Sequence, residues 1–119
     1  MESLLTEDEV IDSVIDYLKQ KGWAIKARSH VDEHGEDIVA ARRGTNLIVE
    51  AKGAGSFKQG TSRYGLPFSR GQVFDHVGKA ILKALRVVGH DQAVAGVAFP
   101  DNSDHRREIS QVSVALQHL

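Results

Sequence analysis

The period of apolar positions changes several times along the chain. Val10, Ile11, Val14, Ile15 and Leu18 recur at helical spacing. Thr6-Glu7-Asp8-Glu9 stands before them as a capping box, with Thr6 at the N-cap and Glu9 three residues on. Gly22 is the expected stop of that helix. Residues 23–28 alternate weakly and read as a first strand, and residues 29–36 as a polar loop. Two apolar runs follow, roughly 37–42 and 46–52, around the tight turn Arg42-Arg43-Gly44-Thr45-Asn46, which predicts a hairpin. Residues 53–70 show no period and are rich in Gly, Ser, Lys and Arg; a loop of that length in a compact domain carries function or mobility. Ser69 is placed to cap a second helix over about 70–88, with Val73, Val77, Ala80, Ile81, Ala84 and Leu85 on its apolar side and Gly89 ending it. Residues 93–99 form a continuous apolar run and predict a central strand buried on both faces. Residues 104–119 predict a third helix with Ile109, Val112, Leu116 and Leu119 inward.

The order αβββαβα predicts an α/β fold, a three-layer-type sandwich in which helices flank a mixed central sheet. The 119 residues suffice for a single domain with one modest core, spanning 1–119. The predicted order ends in a helix rather than a strand, so either the sheet is minimal or a C-terminal strand is missing. Cysteine is absent, which excludes disulfides and thiolate metal sites. The first residues lack a signal-peptide core and no apolar run reaches spanning length, so a cytoplasmic location without a membrane partner is expected. The net charge of −1 hides an asymmetry: residues 1–37 hold ten acids against four bases, whereas residues 38–90 hold nine bases against two acids. A basic middle beside an acidic cluster suits a polyanionic partner, although two charged faces that only solubilise the fold give the same count.

The chemistry concentrates at the hairpin. Alternation along the second strand puts Glu50 and Lys52 on one face, and pairing about the turn brings Asp37 close to both. Two carboxylates and an ammonium at one strand end suit a divalent metal and a scissile phosphate. Mg²⁺ or Mn²⁺ takes hard oxygen ligands and keeps several waters, so Asp37, Glu50 and the Ala51 carbonyl suffice beside substrate phosphate. Lys52 then positions the attacking water and offsets phosphate charge. Glu7 falls on the inward stripe of the first helix and is the candidate accessory metal ligand; a first-turn glutamate that merely suits the helix dipole is the alternative.

Gln72, one turn into the second helix, is a candidate to bond phosphate or the metal-bound water, against a plain solvent-facing glutamine. Lys58, Arg63, Tyr64, Arg70 and His76 are the expected nucleic-acid contacts; Tyr64 and Phe68 either stack on bases or anchor the loop. His30 and His34 read chiefly as loop polarity, and Trp23 as core.

With these residues in place, the chain resembles the PD-(D/E)xK nuclease superfamily, the restriction-endonuclease-like fold. Its organisation is most similar to Holliday-junction resolvases and the catalytic domains of methyl-directed restriction enzymes. The resemblance covers about Glu7 to Phe99. It implies that Asp37 and Glu50 bind the metal and that Lys52 is the catalytic lysine. It further implies the helix-one glutamate at Glu7 and the motif glutamine at Gln72. Glu36 stands where the family usually has proline, and His76 where one branch has tyrosine. The segment 62–72 departs from the resolvase pattern and suggests a distinct subfamily. The function implied is a metal-dependent hydrolase of phosphodiester bonds, an endonuclease acting on DNA. A non-catalytic nucleic-acid-binding module on the same fold is the competing expectation, and a protein-interaction subunit a third. One small domain covers little DNA, so a homodimer or a fused recognition partner is expected.

Overall fold

The computed structural model of the protein describes residues 4–29, 36–55, 65–90 and 93–118. Its elements are α1 (Glu7–Gln20), β1 (Ala24–Arg28), β2 (Ile38–Arg42), β3 (Thr45–Ala51), α2 (Arg70–His90), β4 (Val94–Ala98) and α3 (Ser103–Leu116), the predicted order αβββαβα. Both ends of α1 follow from local chemistry. Thr6 accepts from the Glu9 N–H at 3.0 Å and the Glu9 carboxylate accepts from the Thr6 N–H at 3.0 Å, which closes the capping box. At the other end Gly22 adopts φ +88°, and the Trp23 and Gly22 amides donate to Leu18 and Lys19 carbonyls at 2.9 and 3.1 Å. That is a Schellman ending, which needs a left-handed residue where glycine stands.

The four strands lie in the order β1-β2-β3-β4. The first three form an antiparallel meander and β4 joins β3 in parallel, across the α2 connection. The β2–β3 turn is two residues long, Arg43 at φ 52° and Gly44 at φ 78°, the left-handed pair that matches strand twist.

The sheet has two covered faces. On one, Ile38, Ala40, Leu47, Val49 and Ala51 meet Val10, Ile11, Ile15 and Leu18 of α1. Ile38 is fully buried and Ile11 nearly so, each side chain contributing about 1.5–3 kcal/mol of apolar transfer. Trp23 packs half-buried at the margin of this core, with the Arg42 guanidinium 4.4 Å above its ring. On the other face lies α2, burying Val73, Val77 and Ala80, with α3 packed against it.

Four expectations change. The apolar run at 93–99 is not a central strand: β4 is an edge, and β3 lies between β2 and β4. Nor is it buried on both faces: Val94 is 50% exposed and residues 95–98 are only half-buried, a difference an apolar run by itself does not record. Helix α2 continues through Gly89 to His90, and Leu85 on its expected apolar side is 44% exposed. Helix α3 begins at Ser103 behind an Asn102 cap; its Ile109, Val112 and Leu116 are only half-buried, and its buried residue is His105. Leu119 lies outside the described residues. Among the described residues no helix is long and apolar enough to cross a membrane.

Candidate active site

The β2–β3 register pairs Ile38 with Val49, so the next cross-strand position sets Asp37 opposite Glu50. Residues opposite one another in an antiparallel pair share a face. Asp37 stays in line because its carbonyl accepts from the Ser29 N–H at 3.0 Å, extending the β1–β2 ladder. The Asp37 Oδ2 accepts from the Ala51 N–H at 2.8 Å, and Glu50 lies near enough to raise the Asp37 pKa. Lys52 Nζ stands 3.8 Å from Glu50 Oε1, and both side chains are largely covered. Three of the expected site residues thus converge at the rim of the sheet, where β3 ends.

Helix α1 brings Glu7 to the same rim. The chain leaving β3 is tied on both sides: the Lys52 N–H donates to the Ala98 carbonyl at 3.0 Å and the Ala54 N–H to the Leu5 carbonyl at 2.7 Å. Gly53 lies between these bonds, and a Cβ there would sit 2.6 Å from the Glu7 backbone nitrogen. The close approach of the helix start to the strand end therefore requires glycine.

Negative charge outweighs its compensation here. Burial pushes the Glu7 carboxyl from its ordinary 4.5 to about 7, with Asp37 and Glu50 adding to the rise and Lys52 opposing it. Asp37 is also raised, first by burial and then by Glu50, against the Ala51 N–H and Lys52. Carboxyls that resist ionisation together are the electrostatic mark of a site suited to a cation. The donor set is oxygen only, fitting a hard ion such as Mg²⁺. Among the described residues no three His, Asp or Glu side chains form a complete ligand group, so other ligands of such an ion would be backbone carbonyl, water or substrate oxygens.

Gln72, His76 and Arg70 are the other expected residues among the described ones. Gln72 Oε1 accepts from the Ser69 N–H at 2.8 Å, while Ser69 Oγ accepts from the Gln72 N–H at 3.2 Å. Its side-chain oxygen closes a capping box on α2, a signature present in the Ser69-x-x-Gln72 spacing. His76 borders the site closely enough to feel Lys52. Burial first, then Lys52, Lys79 and His105, hold its pKa below the usual value. Phe68 meets the His76 ring edge-on at 4.4 Å, the loop-anchoring alternative rather than a free stacking platform. Arg70 is exposed, with its Nε 3.8 Å from Asp104 Oδ1. Lys58, Arg63, Tyr64, His30 and His34 lie outside the described residues.

Two participants escaped sequence reasoning. Gly53 gave no signal, since its need arises from the α1 backbone. Lys83 of α2 donates to Glu50 Oε1 at 3.1 Å. Its only trace in the sequence is a place at the border of the α2 apolar stripe, beside Ala84. No protein-family model matches the chain, and no curated protein matches it either.

Proposed function

We propose that this domain is a metal-dependent nuclease of the PD-(D/E)xK type that hydrolyses phosphodiester bonds in DNA. The observation that carries the reading is the meeting of Asp37 and Glu50 across the β2–β3 ladder with Lys52 beside them. Asp37 and Glu50 would hold Mg²⁺ or Mn²⁺. The Ala51 carbonyl would assist, since a strand residue directs its C=O to the same side as its N–H. A cation bound there neutralises phosphate charge and lowers the pKa of an attacking water. Lys52 orients that water and the phosphate, while Glu7 adds negative charge at the rim. Hydrolysis forms a bond from water oxygen to phosphorus and breaks the bond to the leaving oxygen, which takes up a proton. A homodimer is the simplest assembly by which a single-site domain would cut both strands.

Calorimetric titration with Ca²⁺ followed by plasmid nicking in Mg²⁺ or Mn²⁺ tests the reading. Wild type binds Ca²⁺ and nicks; Asp37→Ala and Glu50→Ala lose both. Lys52→Ala loses nicking by a factor of about 10² or more, as for a group acting at the reacting phosphate, yet still binds duplex. If Lys52→Ala nicks as fast as wild type, the mechanism is wrong. Duplex binding without nicking by wild type identifies a binding module instead.

A further inference from the structure

Glu50 is held by two ammonium groups from different elements. Both reach the same oxygen: Lys52 Nζ at 3.8 Å and Lys83 Nζ at 3.1 Å. Among the described residues these are its ion pairs, and the nearer comes from 33 positions away in the chain. Lys83 thus competes for the lone pairs that a divalent cation would use. The two lysines differ in freedom, because the Lys83 side chain is 56% exposed and that of Lys52 only 18%. A flexible four-carbon stem lets an exposed ammonium swing away and regain its water shell. Lys83 also lines a cavity of about 230 Å³ together with Arg86, Ile48, Ala84, Val87 and the carboxylates Glu50 and Glu36. A backbone phosphate there would meet two positive side chains, Lys83 and Arg86, with Glu36 opposing them.

We propose that Lys83 is a resident counter-cation of the site: its ammonium occupies Glu50 until a divalent ion binds there, then turns to a phosphate of the nucleic-acid backbone. The inference rests on the nuclease reading above. An arriving double charge repels a neighbouring ammonium, and of the two lysines the exposed one is free to leave. Lys83 would then add a backbone contact only in the loaded state, which couples metal binding to substrate binding.

The test uses the full chain and two readouts other than cleavage. Ca²⁺ affinity is measured by calorimetry for wild type, Lys83→Gln and Lys79→Gln. The last removes the same charge one turn earlier on α2. Lys83→Gln is expected to tighten Ca²⁺ binding about fivefold, the size of a partly exposed ion pair, and Lys79→Gln by less than about twofold. Duplex affinity in Ca²⁺ is then followed against salt. Lys83→Gln should bind more weakly, with a log–log slope shallower by about one unit, the mark of one lost phosphate contact. Calcium affinities equal in the two variants, or an unchanged salt slope, overturn the proposal. If wild type binds Ca²⁺ and Asp37→Asn abolishes it, such a result leaves the nuclease reading standing. If wild type binds no Ca²⁺, both fall together.

Discussion

Side chains at the rim of the sheet are held under electrostatic tension, and Glu7 carries a measurable share. Its carboxyl titrates near 7 in the fold against an ordinary 4.5. Between those values the folded chain holds a proton that the unfolded chain has lost. Stability from this group therefore falls as pH rises from about 4.5 to about 7 and stays reduced above. Glu7→Gln should match wild type near pH 4.5 and exceed it at pH 8 by about 1 kcal/mol, the full shift being screened by the solvent that still reaches the carboxyl. Urea unfolding in chelator at the two pH values checks this; an equal gain at both would show that Glu7 is not the titrating group. Glu7 was legible as an inward position because helical spacing places it with Val10, Ile11 and Val14. Lys83 was not, because its partner lies on another element and no local pattern records that distance.

The elements are joined at the site by backbone, and there a methyl group matters more than a charge. At Gly53 the strand end passes the first turn of α1, with room for hydrogen only. Gly53→Ala should push the helix start away from β3 and cost about 1–3 kcal/mol, the usual penalty of overpacking. Thermal unfolding reads the first effect. Calcium titration reads the second, a weaker affinity as Glu7 retreats; unchanged affinity in the folded variant would remove Glu7 from the site. The same scale explains Gln72. Its place in a Ser-x-x-Gln box at a helix start is sufficient reason for a glutamine there, and its oxygen is committed to the Ser69 amide. Helix limits were read within a few residues where caps and stops are side-chain chemistry. They failed at Gly89, which α2 passes to end at His90.

At the scale of the whole molecule, the α1 core and the Asp37–Glu50 pair lie on different faces of β2 and β3, with Glu7 reaching the pair from the start of α1. The core faces α1, while Asp37, Glu50 and Lys52 project on the opposite side of the strands. Ile38→Ala, at a fully buried position, should cost about 2–5 kcal/mol in denaturant unfolding. At a temperature where it remains folded, its Ca²⁺ affinity should stay within about twofold of wild type, because the deleted atoms pack away from the carboxylates. A larger loss of affinity would mean that the two faces of the sheet are mechanically linked. Sheet order belongs to this scale as well. The run at 93–99 was expected at the centre, yet among the described residues it lies at an edge and is only partly buried, with Val94 50% exposed.

Alternation, capping motifs and turn residues act within a few positions of each other. The sequence by itself therefore determined the seven elements, their order, the hairpin, and that Asp37, Glu50 and Lys52 would share one face. Interactions between segments distant in the chain were decided only by tertiary structure. The parallel joining of β3 to β4, the tight passage of α1 over Gly53, and the ammonium of Lys83 on Glu50 all depend on how faces are covered in three dimensions. One-dimensional spacing carries no record of that covering.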